Sequence, residues 1–197
     1  MEYKAKNFDN LLGTRGFSDK LLKNHFTLYN GYVTNTNKLS ETLLNLLKEN
    51  KTTTIEFAEI KRRFGWEFNG MRLHELYFGN ISKEKKKLNE NSALFKLIAE
   101  TFGSSENFHR DFVASGTIRG IGWVILCYDK EQKRLFNVWI NEHDVGHLAG
   151  AVPLLVMDVF EHAFILDYEL KKLDYINAFI EAINWDEVFR RFEESLL

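Results

Sequence analysis

The hydrophobic period of this chain changes twice, and the two changes restrict the fold to a mixture of helices and a small sheet. Apolar residues recur at helical spacing before residue 120, at strand spacing between residues 122 and 159, and at helical spacing again from residue 168. Gly122–Asp129 and Arg134–Asn141 flank the polar turn Lys130–Lys133, which predicts a β-hairpin. Val152–Val159 is a third apolar strand, with the only proline, Pro153, near its start, where a first or edge position tolerates it. The pattern therefore predicts a helical lobe followed by a mixed lobe with a short antiparallel sheet.

The helices are predicted from their apolar faces and from polar cap residues. We expect a bend at Gly31 in the first helix, a restart near Ser40, and a cap at Asp186 for the last helix. The predicted helices cover residues 18–50, 55–64, 70–77, 93–102, about 104–113, 168–183 and 186–192.

A charged and polar segment, Gly79–Asn91, interrupts the helical pattern. We interpret it as an exposed linker, because a run of charges without apolar periodicity is typical of a solvated connection. The linker divides the chain into an N-terminal helical lobe, residues 1–88, and a C-terminal mixed α/β lobe, residues 89–197.

Composition limits the classes of partner. Hydrophobic residues make up 45% of the chain, which is enough for a packed core and argues against disorder. The formal net charge of −2 leaves no basic surface typical of nucleic-acid binding or of anionic membranes, so neither partner is expected. A small anionic substrate would need a local positive patch.

The chain carries a single cysteine, Cys127, inside an apolar strand, so no intrachain disulfide can form and a buried thiol is expected. The N-terminal residues lack the apolar stretch of a signal peptide, and no segment approaches transmembrane length. We therefore expect a cytoplasmic protein.

A carboxylate and several imidazoles stand in apolar surroundings, where neither is usually found. Asp158 and His162 lie four positions apart after the third strand, and His25 and His74 lie on apolar helix faces. Taken singly, each is commonly an ion pair or a hydrogen-bonded core histidine. Together they form a ligand set for Fe, Mn or Zn, and buried groups of this kind are tolerated when they hold a cation. The absence of a cysteine-rich set disfavours structural zinc.

Longer strings around these residues resemble a known family. The strings are Asp-Val-Phe-Glu-His-Ala-Phe-Ile-Leu-Asp-Tyr from Asp158, Asn-Trp-Asp from Asn184, His-Glu-Leu-Tyr-Phe from His74 and Tyr-Val-Thr-Asn from Tyr32. They closely resemble the iron/manganese superoxide dismutases. The resemblance implies an α+β fold, with an N-terminal helical hairpin lobe followed by a C-terminal α/β lobe with a three-stranded antiparallel sheet.

The resemblance also implies the site and the activity. His25, His74, Asp158 and His162 would hold one Fe or Mn ion per subunit, and the reaction would be the dismutation of superoxide to oxygen and hydrogen peroxide. Glu161 would cross a dimer interface to the partner's metal-ligand histidine, which implies a homodimer or a dimer-based tetramer. The ligands are the same for iron and manganese, so the sequence does not choose between them.

Residues around the metal ligands also resemble the family, except that its glutamine is replaced. Tyr32 corresponds to a tyrosine at the substrate channel, one residue closer to His25 than usual, and Trp123 to an aromatic wall. The family's glutamine is missing: Gly70 stands at one of its two positions, and His143 at the other. Since histidine titrates near neutral pH, we expect His143 to tune both the redox potential and the pH dependence.

Other positions differ as well. Phe160 replaces a customary tryptophan, and Trp139 is assigned to the same apolar wall. A histidine–tyrosine relay pair is absent, with Leu28 or Tyr29 at one position and Ile165 at the other. Lys171 and Lys172 stand where the family has a channel arginine, and could attract an anion.

Two alternatives remain from the sequence. One is a metal-binding relative of the same fold without dismutase activity, against which the intact ligand set argues. The other is a mononuclear iron oxygenase, whose usual two histidines and one carboxylate leave positions open for substrate and oxygen. The third histidine disfavours it.

Overall fold

The computed structural model describes residues 2–197 as a helical hairpin followed by a mixed lobe around a small sheet. The elements in chain order are α1 (Asp19–Lys48), α2 (Ile55–Gly79), α3 (Ala93–Phe102), α4 (Ser105–Thr117), β1 (Gly122–Asp129), β2 (Arg134–Asn141), β3 (Val152–Asp158), α5 (Ile165–Tyr168), α6 (Lys172–Glu181) and α7 (Trp185–Ser195). The predicted α+β architecture and its three-stranded antiparallel sheet are confirmed. Among these residues no helix is both long and apolar enough to span a bilayer.

Helix α1 runs without interruption through the positions where a bend and a restart were predicted. It begins after Ser18, whose hydroxyl accepts the N–H of Leu21 at 3.0 Å. A helical glycine costs about 1 kcal/mol relative to alanine, but buried Tyr29 and Val33 on either side of Gly31 hold the helix by packing. The Ser40 hydroxyl donates to the carbonyl of Thr36 at 2.7 Å inside the helix and caps nothing.

Helix α2 merges two segments that were predicted as separate helices. It begins after Thr54, which accepts the N–H of Phe57 at 3.2 Å, and continues past Gly70. A Cβ atom at Gly70 would lie 2.5 Å from Cδ1 of Tyr32 on α1. This glycine therefore marks the place where the Tyr32 ring packs against the α2 backbone, and not the end of a helix.

The sheet has the order β2-β1-β3, with β1 in the centre. Because β3 is an edge strand, Pro153 removes no ladder donor from the middle of the sheet. Trp123 on β1 faces α2, where its ring lies 5.0 Å from that of His74. Cys127, also on β1, is buried as predicted.

The interlobe segment becomes exposed only at its fifth residue, Lys83. Asn80 is fully buried, where its side-chain oxygen accepts from the N–H of Val156 at 2.8 Å and from Arg191 at 3.0 Å. The prediction of an exposed linker is therefore wrong at its start and correct for Lys83, Lys85 and Lys87.

The cap predicted for the last helix is also misplaced. Helix α7 begins after Asn184, whose side chain makes no cap hydrogen bond, and Asp186 lies in the first turn. A carboxylate there still interacts favourably with the positive end of the helix dipole.

Candidate metal centre

Four side chains converge between the helical hairpin and the sheet. His25 comes from α1, His74 from α2, Asp158 from the end of β3, and His162 from the 3-10 turn Glu161–Ala163. Each offers one ligand atom, and these four atoms lie within 4.8 Å of one another. The Nε2 atoms of the three histidines lie 3.1, 3.7 and 3.2 Å from the same oxygen, Oδ2 of Asp158. The structure therefore brings together the four residues that the sequence assigned to a metal ion.

A backbone N–H orients the Asp158 carboxylate. Its Oδ1 accepts the N–H of Phe160 at 2.8 Å, so Oδ2 is the oxygen that faces the histidines. The Asp158 carbonyl accepts the hydroxyl proton of Tyr175 at 2.6 Å, which anchors the end of β3 to α6. Outer contacts of this kind fix the direction of metal ligands in many proteins.

The ring of His74 is poised to coordinate a cation. Its Nδ1 lies 2.6 Å from the carbonyl of Gly70, one helical turn earlier. A carbonyl can only accept, so Nδ1 carries the proton and Nε2 carries a free lone pair. Nε2 is buried and has no hydrogen-bond partner within residues 2–197. An orphaned acceptor aimed into a cluster of ligands fits a bound metal ion.

The charges of the cluster suit a cation as well. Burial lowers the pKa of His25, and burial together with the neighbouring His25 lowers the pKa of His74 well below its ordinary value. Burial alone would raise the pKa of Asp158, but the charge and hydrogen bonds of His162 and His25 outweigh it and lower this pKa. A metal ion binds imidazole only in its neutral form, so three such rings and the ionised carboxylate would give a donor set with one negative charge.

Next to the cluster, His143 bridges two side chains. Nδ1 of its ring accepts the indole N–H of Trp123 at 3.0 Å, and its Nε2 lies 2.7 Å from the hydroxyl of Tyr32. Because an indole nitrogen can only donate, the neutral ring carries its proton on Nε2 and donates it to Tyr32. The uninterrupted α1 helix places Tyr32 two turns after His25, so the shorter spacing is accommodated without an irregularity.

Aromatic rings enclose His143 on two further sides. Phe160 stacks on it with ring centroids 4.8 Å apart, and Trp66 meets it edge to face at 4.8 Å. His143 is fully buried as a result. Trp66 lies on α2 and was not anticipated from the sequence.

Comparison with known proteins decides the family. Residues 78–191, more than half of the chain, match the model for the C-terminal domain of iron/manganese superoxide dismutases. This chain belongs to the iron/manganese superoxide dismutase family. The same assignment follows from three relatives that align with most of the chain.

The relatives carry both metals in their names. The iron superoxide dismutase of Aquifex aeolicus is 36% identical over 92% of this chain and 86% of its own length. The manganese superoxide dismutase 2 of Haloferax volcanii is 37% identical over 87% of this chain and 84% of its own length. An iron superoxide dismutase of Sulfolobus acidocaldarius is 32% identical over 85% of this chain and 81% of its own length.

Within this family framework, the structure corrects what was expected of His143. Burial lowers its pKa to about 4, and the bond from Trp123 occupies the nitrogen that protonation would need. The expectation that His143 titrates near neutral pH is therefore wrong. At neutral pH its ring presents one N–H donor, directed at Tyr32, and one acceptor, directed at Trp123.

The structure also removes Trp139 from the wall of the site. Trp139 pairs with Val124, whereas Trp123 pairs with Ile140, and neighbouring residues of a strand point to opposite faces. Trp139 thus lies on the far side of the sheet, where the Lys172 ammonium sits 5.4 Å from its ring centroid. The same lysine donates to the carbonyl of Ile118 at 3.0 Å.

The residues that stand in place of the family's relay pair lie beside His162. Leu28 and Ile165 line one cavity of about 440 Å³ together with the ligand His162. Tyr29, the other candidate, is buried, and its hydroxyl donates to Glu75 at 2.9 Å. An apolar pair therefore borders this side of His162.

Proposed function

We propose that this protein is a metal-dependent superoxide dismutase, which converts two superoxide ions and two protons into oxygen and hydrogen peroxide. The observation that carries the proposal is the convergence of His25, His74 and His162 on Oδ2 of Asp158, with Nε2 of His74 buried and unpartnered among residues 2–197. The relatives named as superoxide dismutases align over most of the chain. A mononuclear Fe or Mn ion, one per subunit, is the cofactor that these donors suit.

The four ligands and the outer residues divide the work. A bound Fe or Mn ion would supply the one-electron chemistry, taking an electron from one superoxide ion and giving it to a second. Asp158 balances the positive charge, and the neutral imidazoles donate lone pairs. Trp123 and Phe160 keep bulk water and larger ligands out of the site.

Tyr32 and His143 handle the protons. Because His143 donates its Nε2 proton to the Tyr32 oxygen, the hydroxyl proton of Tyr32 is available to another acceptor, such as a reduced oxygen species. Burial, with the charges of Asp158 and Glu67, raises the pKa of Tyr32 to about 12, so the tyrosine keeps that proton at neutral pH. After donation, the hydrogen bond from His143 stabilises the phenolate until solvent returns the proton.

The test is dismutase activity on two batches of the full chain, one loaded with iron and one with manganese, with the metal content quantified in each. Activity in either batch supports the proposal and reveals the metal preference. Full occupancy without activity in both batches would leave the metal-binding relative without dismutase activity as the function.

We further propose that two copies associate around His162, as a homodimer or a dimer-based tetramer. Glu161 is exposed beside this ligand, and Leu28 and Ile165 leave 42% and 46% of their surface exposed next to it. Light scattering after size exclusion tests this association on the wild type, Glu161→Lys and the control Glu131→Lys, which changes an exposed turn residue. A monomeric wild type, or an unchanged assembly of Glu161→Lys, would contradict it.

Cytoplasmic location and the division into lobes 1–88 and 89–197 stay predictions, testable by cell fractionation and limited proteolysis.

A further inference from the structure

Two hydrogen bonds alone do not fix the ring of His143. They hold Nδ1 through Trp123 and Nε2 through Tyr32, which defines a line through the ring. The ring could still tilt about that line, because both bonds lie close to it. His143 also sits in the loop after β2, next to Glu142, whose φ of +51° marks an irregular backbone.

Two aromatic rings prevent this tilt from different elements. Phe160 stacks on the His143 ring with an interplanar angle of 24°, and it belongs to the same lobe. Trp66 meets the ring at 82° and belongs to α2. The contact with Trp66 therefore ties the loop that carries His143 to the helix that carries the ligand His74.

Trp66 is itself held by an ion pair on the same helix. The guanidinium carbon of Arg63 lies 4.5 Å from the centroid of the indole ring, a cation–π geometry. Nε of Arg63 donates to Oε1 of Glu67 at 3.0 Å, and Nη2 lies 2.9 Å from the same oxygen as an ion pair. Glu67 is 5% exposed and accepts a further bond from Asn35 on α1 at 3.3 Å. Helical spacing of three and four residues allows these contacts.

We propose that Trp66 is a positioning residue for His143, and that Arg63 and Glu67 hold Trp66 in place for that purpose. The inference rests on the proposed function, because it assigns to His143 a part in the proton chemistry. Trp66 sets the ring plane of His143, so that its Nε2 proton points at Tyr32 and its Nδ1 lone pair points at Trp123. Loss of the Trp66 ring would leave the four metal ligands in place. It would misalign the hydrogen bond from His143 to Tyr32.

The chain offers a matched control. Trp139 resembles Trp66 in being half-buried with a cation over its ring, Lys172 for Trp139 and Arg63 for Trp66. It lies on the face of the sheet opposite to Trp123, away from His143. The variants are Trp66→Ala, Trp66→Phe and Arg63→Gln, with Trp139→Ala as the control. The structural readout is the ¹⁵N–¹H long-range spectrum of the histidine rings, recorded on the full chain with zinc in the site as a diamagnetic substitute. The second readout is kcat and KM of the iron- or manganese-loaded variants.

In the wild type and in Trp139→Ala, we expect His143 to give one sharp Nδ1 resonance typical of an unprotonated nitrogen. In Trp66→Ala this resonance should broaden or shift toward the tautomer average. Its kcat should fall about tenfold, the usual effect of removing an outer partner, with little change in KM. The kcat of Trp66→Phe should be close to that of the wild type. The kcat of Arg63→Gln should lie between those of Trp66→Phe and Trp66→Ala.

An unchanged Nδ1 resonance and an unchanged kcat in Trp66→Ala would overturn the proposal. If Trp66→Ala does not fold, Arg63→Gln decides, because it leaves the indole in place: a resonance and kcat identical to the wild type would overturn the proposal. An inactive wild type would contradict the proposed function and not the positioning, because the resonance reports the ring without any turnover.

Discussion

The indole nitrogen of Trp123 lies 3.0 Å from Nδ1 of His143, and this contact fixes the tautomer of the imidazole. A protonated ring would carry hydrogen on both nitrogens and would lose the bond from Trp123. The contact therefore favours the neutral form, as burial does.

Acid should destabilise the metal-free protein partly through His143. Its pKa is about 4 in the folded chain, lowered by burial, and near 6.5 in the unfolded chain. The unfolded state thus binds more protons between these values, and stability falls as pH decreases through that window. His143→Gln should remove about 2 kcal/mol of this loss between pH 6.5 and 5. Urea unfolding at several pH values measures it, and parallel curves for both proteins would contradict the expectation.

The same substitution tests the role of His143 in choosing a metal. Glutamine also offers a donor and an acceptor, but its shape differs, so we expect His143→Gln to change activity with one metal more than with the other. The measurement is the ratio of iron-supported to manganese-supported activity at equal metal content. An unchanged ratio would show that His143 does not tune the metal.

Removing one ligand should greatly weaken metal binding while leaving the fold intact. His162 is the least buried of the four ligands, with 25% of its side chain exposed, so His162→Gln disturbs packing least. We expect its metal affinity to fall about 100-fold or more. Added metal should raise the Tm of the wild type through mass action and leave that of the variant unchanged. His109→Gln, at an exposed position on α4, should behave as the wild type.

Two glycines of α2 should respond in opposite ways to the same change. At Gly70 a Cβ atom would collide with the Tyr32 ring, so Gly70→Ala should cost about 1–3 kcal/mol and displace the tyrosine from His143. At Gly65 nothing lies within 4 Å, so Gly65→Ala should gain about 1 kcal/mol from helix propensity. Denaturant unfolding and dismutase activity of both variants check the pair. Equal effects would mean that the Tyr32 ring does not pack against Gly70.

The thiol of Cys127 should be inert in the folded protein. Burial raises its pKa to about 12, so almost no thiolate exists at pH 8. Reaction with an aromatic disulfide reagent should be at least ~100-fold slower than in guanidinium chloride, where the pKa returns to about 8.5. Rapid labelling under native conditions would reveal local opening of β1.

The sequence located the elements best where two apolar runs flank a polar turn. The bounds of β1 and β2 are as predicted, because strand pairs with polar turns leave little freedom. The prediction divided α2 into residues 55–64 and 70–77, whereas the helix continues through Gly70, where the close approach of the Tyr32 ring requires a glycine. Such a contact joins distant parts of the chain and leaves no local pattern.

The same reasoning explains the outcome at the site. The four proposed ligands do converge. They could be predicted because a carboxylate and imidazoles in apolar surroundings need a partner that compensates their burial. The prediction that Trp139 lines the site was wrong. Pairing of the two strands across their turn places Ile140 opposite Trp123, so Trp139 points to the other face of the sheet. A signal for Trp66 was also present: Trp66, Gly70 and His74 recur every four residues and share one helix face.

His25 and Asp158 meet across 133 positions of sequence, and the remaining ligands divide between the same two regions of the chain. No fragment that emerges early in synthesis contains a complete donor set. The donor set is therefore complete only after synthesis has passed His162 and these two regions have come together. The free energy of metal binding is therefore gained only by the folded chain, so the ion contributes directly to the stability of the fold.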